Sequence, residues 1–190
     1  MKASPNHRLY HMLTSFYSEE ELAGIGFKSV GKGVRLSRKT SIYGASDMTI
    51  GDNVRIDDFC ILSGNITIGS NIHISAYVAL YGALGIELQD YTGISPRSTI
   101  YSAMDDFSGD YLIGPIHAPG QTNVTGGKVV VERYSQIGAN CVVFPCVTIS
   151  EGSVIGAMSL VRKSTAPWTI NAGIPAKILK QRKDSLLYKI

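Results

Sequence analysis

A chain of 190 residues with 17% charged residues and 20 glycines has the length of a single domain. Its net charge of +3 is too weak to imply a nucleic-acid partner, and no apolar run is long enough for a membrane span. Its three cysteines, with no C-x-x-C pair and no metal-ligand spacing, suggest neither a disulfide framework nor a metal centre.

The first patterned segment, from about Leu9 to Leu22, reads as helical, in one or two pieces. Ser18 followed by Glu19, Glu20 and Glu21 marks a helix start, with Ser18 and Glu21 at capping-box spacing. Residues 1–28 are expected to cap the open end of the structure that follows. No secretory leader is apparent, so a cytoplasmic location is expected.

From Val30 a different beat takes over. Ile, Leu or Val recurs every sixth residue, in sets of three: Val30/Leu36/Ile42, Ile50/Ile56/Leu62, Ile68/Ile74/Leu80, Leu88/Ile94/Ile100, Val131/Ile137/Val143 and Ile149/Ile155/Val161. Four residues after many anchors stands a small or aliphatic companion, such as Val54, Cys60, Ile66, Cys141 or Ser153. A period of six suits neither a helix nor a plain strand. It predicts an all-β solenoid over residues 29–163, with three short strands per coil and about six coils stacked at roughly 4.8 Å. Gly51, Asn53, Gly69, Asn71, Gly138, Asn140, Gly152 and Gly156 are expected at corners that need left-handed backbone. Two slips of two residues, Ile42 to Ile50 and Leu80 to Leu88, read as small outward bulges.

Between Ser102 and Lys128 no hexad can be placed, and an inserted loop of that length is usually functional. Beyond Val161 lie Arg162, Lys163, Lys177, Lys180, Arg182, Lys183 and Lys189 against only Asp184. This basic end favours a small polyanionic ligand such as a phosphorylated cofactor. The extension, residues 164–190, is expected to carry a helix from Ala176 to Tyr188 whose Ile178, Leu179 and Leu186 pack on the last coil.

The runs I-G-D-N-V-R-I-D-D-F-C-I and I-G-A-N-C-V-V-F-P-C-V-T-I-S-E-G-S-V-I-G-A, with the ending Ala172-Gly173-Ile174-Pro175-Ala176-Lys177, resemble the left-handed β-helix hexapeptide acyltransferases. The C-terminal half is similar to galactoside and maltose acetyltransferases and to those of surface-polysaccharide clusters. The resemblance covers roughly Val30 to Arg182. It implies a left-handed parallel β-helix, a homotrimer, and acetyl-CoA lying in a groove between two subunits. Gly138, Ala139 and Asn140, with Gly156, Ala157 and Met158, match the stretches that meet the pantetheine arm. Lys163, Lys177 and Lys180 are the expected phosphate partners, because charge-assisted bonds suit Lys at phosphate.

Sugar-acetylating relatives carry a histidine base just after the strand equivalent to Ile100-Tyr101-Ser102. Here Ala103-Met104-Asp105-Asp106 stands in its place. The base is then Asp105 or Asp106, or His117 of the same loop held between Pro115 and Pro119, or, less favoured, His73. The resemblance favours acetyl transfer to a sugar or sugar-nucleotide hydroxyl, for surface-polysaccharide synthesis. The missing histidine speaks for N-acetylation of an amino sugar, since a neutral amine needs no strong base. A non-catalytic trimeric scaffold is a third reading. A three-histidine zinc site of the γ-carbonic anhydrase type finds no matching histidine spacing.

Overall fold

The computed structural model describes residues 15–189. Its helix spans Glu19–Ile25 and begins with a full capping box: the Glu21 amide donates to Ser18 Oγ at 3.3 Å, and the Ser18 amide donates to Glu21 Oε2 at 2.7 Å. Glu19, Glu20 and Glu21 in its first turn face the positive end of the helix dipole. Gly26 ends it in the left-handed conformation. Leu22 is buried, and Tyr17, Ile25 and Phe27 pack beside it against the solenoid interior. The earlier part of the expected helical segment lies outside the described residues.

The anchors form three parallel ladders. On the first, Val30, Ile50, Ile68, Leu88, Val131 and Ile149 are successive partners. The second runs Leu36, Ile56, Ile74, Ile94, Ile137 and Ile155. The third runs Ile42, Leu62, Leu80, Ile100, Val143 and Val161. Each anchor therefore lies directly above the one before it, in the six coils read from the sequence. The companions Val54, Cys60, Ile66, Val78, Cys141, Val147 and Ser153 are buried between them. The fold is a left-handed parallel β-helix of hexapeptide repeats.

The corners depart in part from expectation. The third residue after an anchor adopts left-handed backbone, including Asn53, Asn71 and Asn140 but also Phe59, Tyr77, Tyr91, Arg97, Tyr134 and Met158. Gly51, Gly69, Gly138 and Gly156 are not left-handed. They are glycine because the next coil stacks too close for a side chain: a Cβ on Gly51 would stand 2.6 Å from the Gly69 carbonyl oxygen, and one on Gly138 2.6 Å from the Ala157 amide nitrogen. The first slip in the beat is a 3₁₀ turn, Ala45–Asp47. The second lies within the long strand Ala79–Leu88, which pairs with Ile61–Ile68 and shifts register between Gly64 and Ile66.

The C-terminal helix is not formed. Thr169–Gly173 adds a strand to the second ladder, placing Asn171 beside Ile155, and Ala176–Gln181 returns antiparallel to it. Only Ser185–Lys189 is helical, as a 3₁₀ segment. The last coil presents an open strand edge, and pairing that edge satisfies backbone groups that a helix would leave bare.

Candidate active site

The inserted segment leaves and rejoins the solenoid at one point. Ala103–Asp105 pairs antiparallel with Val124–Gly126, forming a ribbon. Buried Ser102 roots it: its hydroxyl donates to the Tyr81 carbonyl at 3.0 Å and accepts the Leu84 amide at 2.8 Å, while its carbonyl accepts the Gly127 amide at 2.8 Å. Against this root lies a cavity of about 410 Å³ lined by Tyr101, Ala103, Met104, Asp105, Phe107 and Val124. Tyr101 stacks on Tyr81 of the coil below, with ring centroids 5.3 Å apart.

The two adjacent carboxylates are not equivalent. Asp105 is half-buried at the cavity wall, and its carboxylate has no hydrogen-bond or ion-pair partner among the described residues. Asp106 accepts the Ser108 amide at 2.8 Å and Asn123 Nδ2 at 2.9 Å. These bonds, the Ser108 backbone amide first, hold its carboxyl below the usual range. Asp106 therefore braces the ribbon, and Asp105 is the group free to meet a ligand.

His117 is half-buried farther along the insertion and does not line this cavity. His73 lies on the outer surface of the second ladder, where its Nε2 is 2.7 Å from Asp57 Oδ2, while Arg55 holds Oδ1 at 2.7 Å. Burial raises the Asp57 carboxyl, but these two bonds outweigh it and leave the group below its ordinary value. Among the described residues no group of three or more His, Cys, Asp or Glu could hold a metal ion.

Gly138-Ala139-Asn140 and Gly156-Ala157-Met158 stack as consecutive rungs of the corner that follows the second ladder, with the Met158 amide donating to the Ala139 carbonyl at 2.8 Å. Lys163 and Lys177 come together at the wall of a cavity of about 320 Å³, with Ser164, Thr165, Asn171 and Ala176. Lys180 is exposed on the strand Ala176–Gln181 and lies outside that cavity. None of these residues lines the Asp105 cavity. The expected cofactor and acceptor sites thus occupy separate places on one chain.

A family model described as bacterial transferase hexapeptide (six repeats) matches residues 47–82. The dTDP-4-amino-4,6-dideoxy-D-glucose acyltransferase of Escherichia coli is 40% identical over 176 residues, covering 91% of this chain and 92% of that protein. The chain belongs to the hexapeptide-repeat acyltransferases. AntD, an N-acyltransferase from Bacillus cereus solved with dTDP and 3-hydroxybutyryl-CoA, is 50% identical to this acyltransferase. Its structure superposes with a TM-score of 0.91, covering 93% of this chain and 95% of that one. A variant of AntD was solved with dTDP-4-amino-4,6-dideoxyglucose and coenzyme A. The galactoside O-acetyltransferase of Escherichia coli K12 matches more locally, 42% identical over 48 residues, 25% of this chain.

Sequence reasoning singled out the Asp105-Asp106 pair but missed the aromatic stack of Tyr81 on Tyr101, the second of which lines the acyltransferase's cavity. Tyr81 and Tyr101 are each the residue after an anchor, Leu80 and Ile100, on the same ladder. That shared position was the signal: equal hexad positions stack.

Proposed function

We propose that this acyltransferase moves an acyl group, acetyl in the simplest case, from a coenzyme A thioester to the amine of a nucleotide-linked amino sugar. The observation that carries the reading is the near-full-length likeness to a dTDP-4-amino-4,6-dideoxy-D-glucose acyltransferase and to an N-acyltransferase solved with dTDP, where likeness to O-acetyltransferases covers 25% to 38% of the chain. The same likenesses support transfer to an amine at least as well as transfer to a hydroxyl.

The site chemistry agrees. A hydroxyl must lose its proton as it attacks, and no histidine stands where O-acetylating relatives have one. A neutral amine attacks the thioester carbonyl carbon unaided. The tetrahedral adduct then collapses, the C–S bond breaks, and coenzyme A leaves as thiolate. Before that collapse the ammonium proton of the adduct passes to the Asp105 carboxylate, and from there it goes to the departing thiolate. Asp105 suits this role because none of the described residues engages its carboxylate.

The donor is placed along Gly138–Asn140 and Gly156–Met158, its phosphates toward Lys163 and Lys177. Since these lie apart from Asp105 in one chain, the complete site is proposed to form in a homotrimer, one copy giving the corner and the next the ribbon. The test is thiol release from acetyl-CoA with dTDP-4-amino-4,6-dideoxyglucose, galactosides or neutral nucleotide sugars as acceptors. Turnover with the amino sugar alone supports the reading; turnover with hydroxyl acceptors alone overturns it.

A further inference from the structure

Among the described residues, three columns of stacked aromatic rings climb the outside of the solenoid. In the first, Phe59 and Tyr77 lie 5.0 Å apart, with the Lys39 ammonium 5.2 Å over one ring and the Arg97 guanidinium 5.5 Å over the other. In the second, Tyr91, Tyr134 and Trp168 follow at 5.4 and 6.4 Å, with Arg133 over Tyr134 and Arg182 over Trp168. The third is the pair Tyr81–Tyr101, with planes only 10° apart. Among the described residues no cation covers either of its rings. A stacked aromatic face left open is a surface on which another π-system can settle.

The register shows where that face looks. Tyr43, Ser63, Tyr81 and Tyr101 are consecutive partners on the third ladder, one per coil. Tyr101 covers the upper face of Tyr81. Below Tyr81 the rung is Ser63, too small to cover anything, and the rung below that is Tyr43. Tyr43 and Tyr81 are 61% and 36% exposed. Two rungs amount to about 10 Å at strand spacing, room for one flat ring between them. Beside this missing rung the chain carries Gly64 and Gly82, paired across coils, so no side chain projects from the floor. Tyr101 belongs to the wall of the Asp105 cavity. From the Ser63 rung to the Tyr101 rung is again about 10 Å, a reach suited to a diphosphate bridge.

We infer that the open face of Tyr81, over Ser63, is the platform for the base of a nucleoside diphosphate, which lays the attached sugar along the third face toward Asp105. The inference rests on the nucleotide-linked acceptor proposed above and adds where the nucleotide is held. Stacking of a base on an aromatic side chain is sequence-tolerant and is worth about ten- to a hundredfold in affinity on alanine substitution.

Ser63→Phe tests it by filling the missing rung, and Tyr81→Ala by removing the platform. Titration calorimetry with dTDP and, separately, coenzyme A is run on the native chain and both variants, with melting temperature and sedimentation as companions. The expected result is dTDP affinity at least about tenfold weaker in both variants, coenzyme A affinity unchanged, and Ser63→Phe no less stable, since its ring joins the column. Native dTDP affinity in Ser63→Phe overturns the platform while leaving the acceptor proposal intact. A Ser63→Phe chain that changes its state of association overturns it too, because the face is then a subunit contact. A native chain that binds coenzyme A but no dTDP overturns both the platform and the nucleotide-linked acceptor.

Discussion

Asp105 and Asp106 are consecutive residues with opposite duties: the Asp106 carboxylate accepts from the Ser108 amide and from Asn123 Nδ2, while the Asp105 carboxylate, at a cavity wall, has no partner among the described residues. Strand alternation explains the split. Asp105 ends the strand Ala103–Asp105 and Asp106 begins the loop, so their side chains leave the ribbon in different directions.

This separation predicts unequal mutants. Asp105→Asn keeps the shape and removes the proton acceptor, so turnover should fall on the order of 10²-fold with KM for acetyl-CoA unchanged. Asp106→Asn should cost less in turnover and instead loosen the ribbon, seen as faster proteolysis within residues 106–123. His117→Ala should leave kcat within about threefold, since His117 does not line the cavity. Steady-state thiol-release kinetics rank the three. A larger loss in His117→Ala than in Asp105→Asn would move the base to His117.

The lysines give a second ranking. Lys163 and Lys177 share one cavity and Lys180 does not. A charge-assisted bond to phosphate contributes about 1.5–3 kcal/mol, so Lys163→Ala or Lys177→Ala should weaken coenzyme A binding at least about tenfold. Lys180→Ala should change it by less than about threefold, as an exposed charge does. Calorimetry at two salt concentrations checks this. Equal losses for all three would mean a diffuse field and no formed phosphate site.

How much of this was legible in sequence depends on whether each residue answers to its neighbours in the chain or to the next coil. Ile100 and Val143 stand 43 positions apart yet are direct partners. The beat could be read across the insertion because the insertion returns to its own root at Ser102 and Gly127. The sequence suggests a helix from Ala176 to Tyr188, yet Ala176–Gln181 is a strand. The open edge of Thr169–Gly173, which a periodicity argument does not represent, decides otherwise. The division of labour between Asp105 and Asp106 depends on Asn123 arriving from the far end of the insertion, which spacing alone does not reveal.

Gly138 separates stacking from ligand binding. A Cβ there would stand 2.6 Å from the Ala157 amide nitrogen and 2.7 Å from the Ile155 carbonyl oxygen, both backbone atoms that cannot swing aside. Gly138→Ala should therefore destabilise the ligand-free protein by about 1–3 kcal/mol, the usual cost of overpacking. Urea unfolding without coenzyme A measures it. A variant of native stability that has lost only coenzyme A affinity would mean that the glycine serves the pantetheine arm and not the coil above.

The acid limb of stability follows from carboxylates held below their ordinary values. The Arg38 guanidinium, bonded at 2.6 Å and helped by the Ser18 amide, brings Glu21 from 4.5 down to about 2. Hydrogen bonds from Lys39 and Ser37 lower Asp58, and those from Lys128 and Gln89 lower Glu87. A folded-state value below the unfolded one means that the unfolded chain binds protons first as pH falls. The contribution of Glu21 is thus full above pH 4.5 and fades as pH drops toward 2. Melting temperature should decline across that window, and Glu21→Gln should lower it at neutral pH while making the decline shallower. Because this pair is exposed, 1 M salt should shrink the difference between native and variant to a small remainder. An acid limb that is equally steep in Glu21→Gln at low salt would assign the loss to the other carboxylates, Asp58 and Glu87 among them.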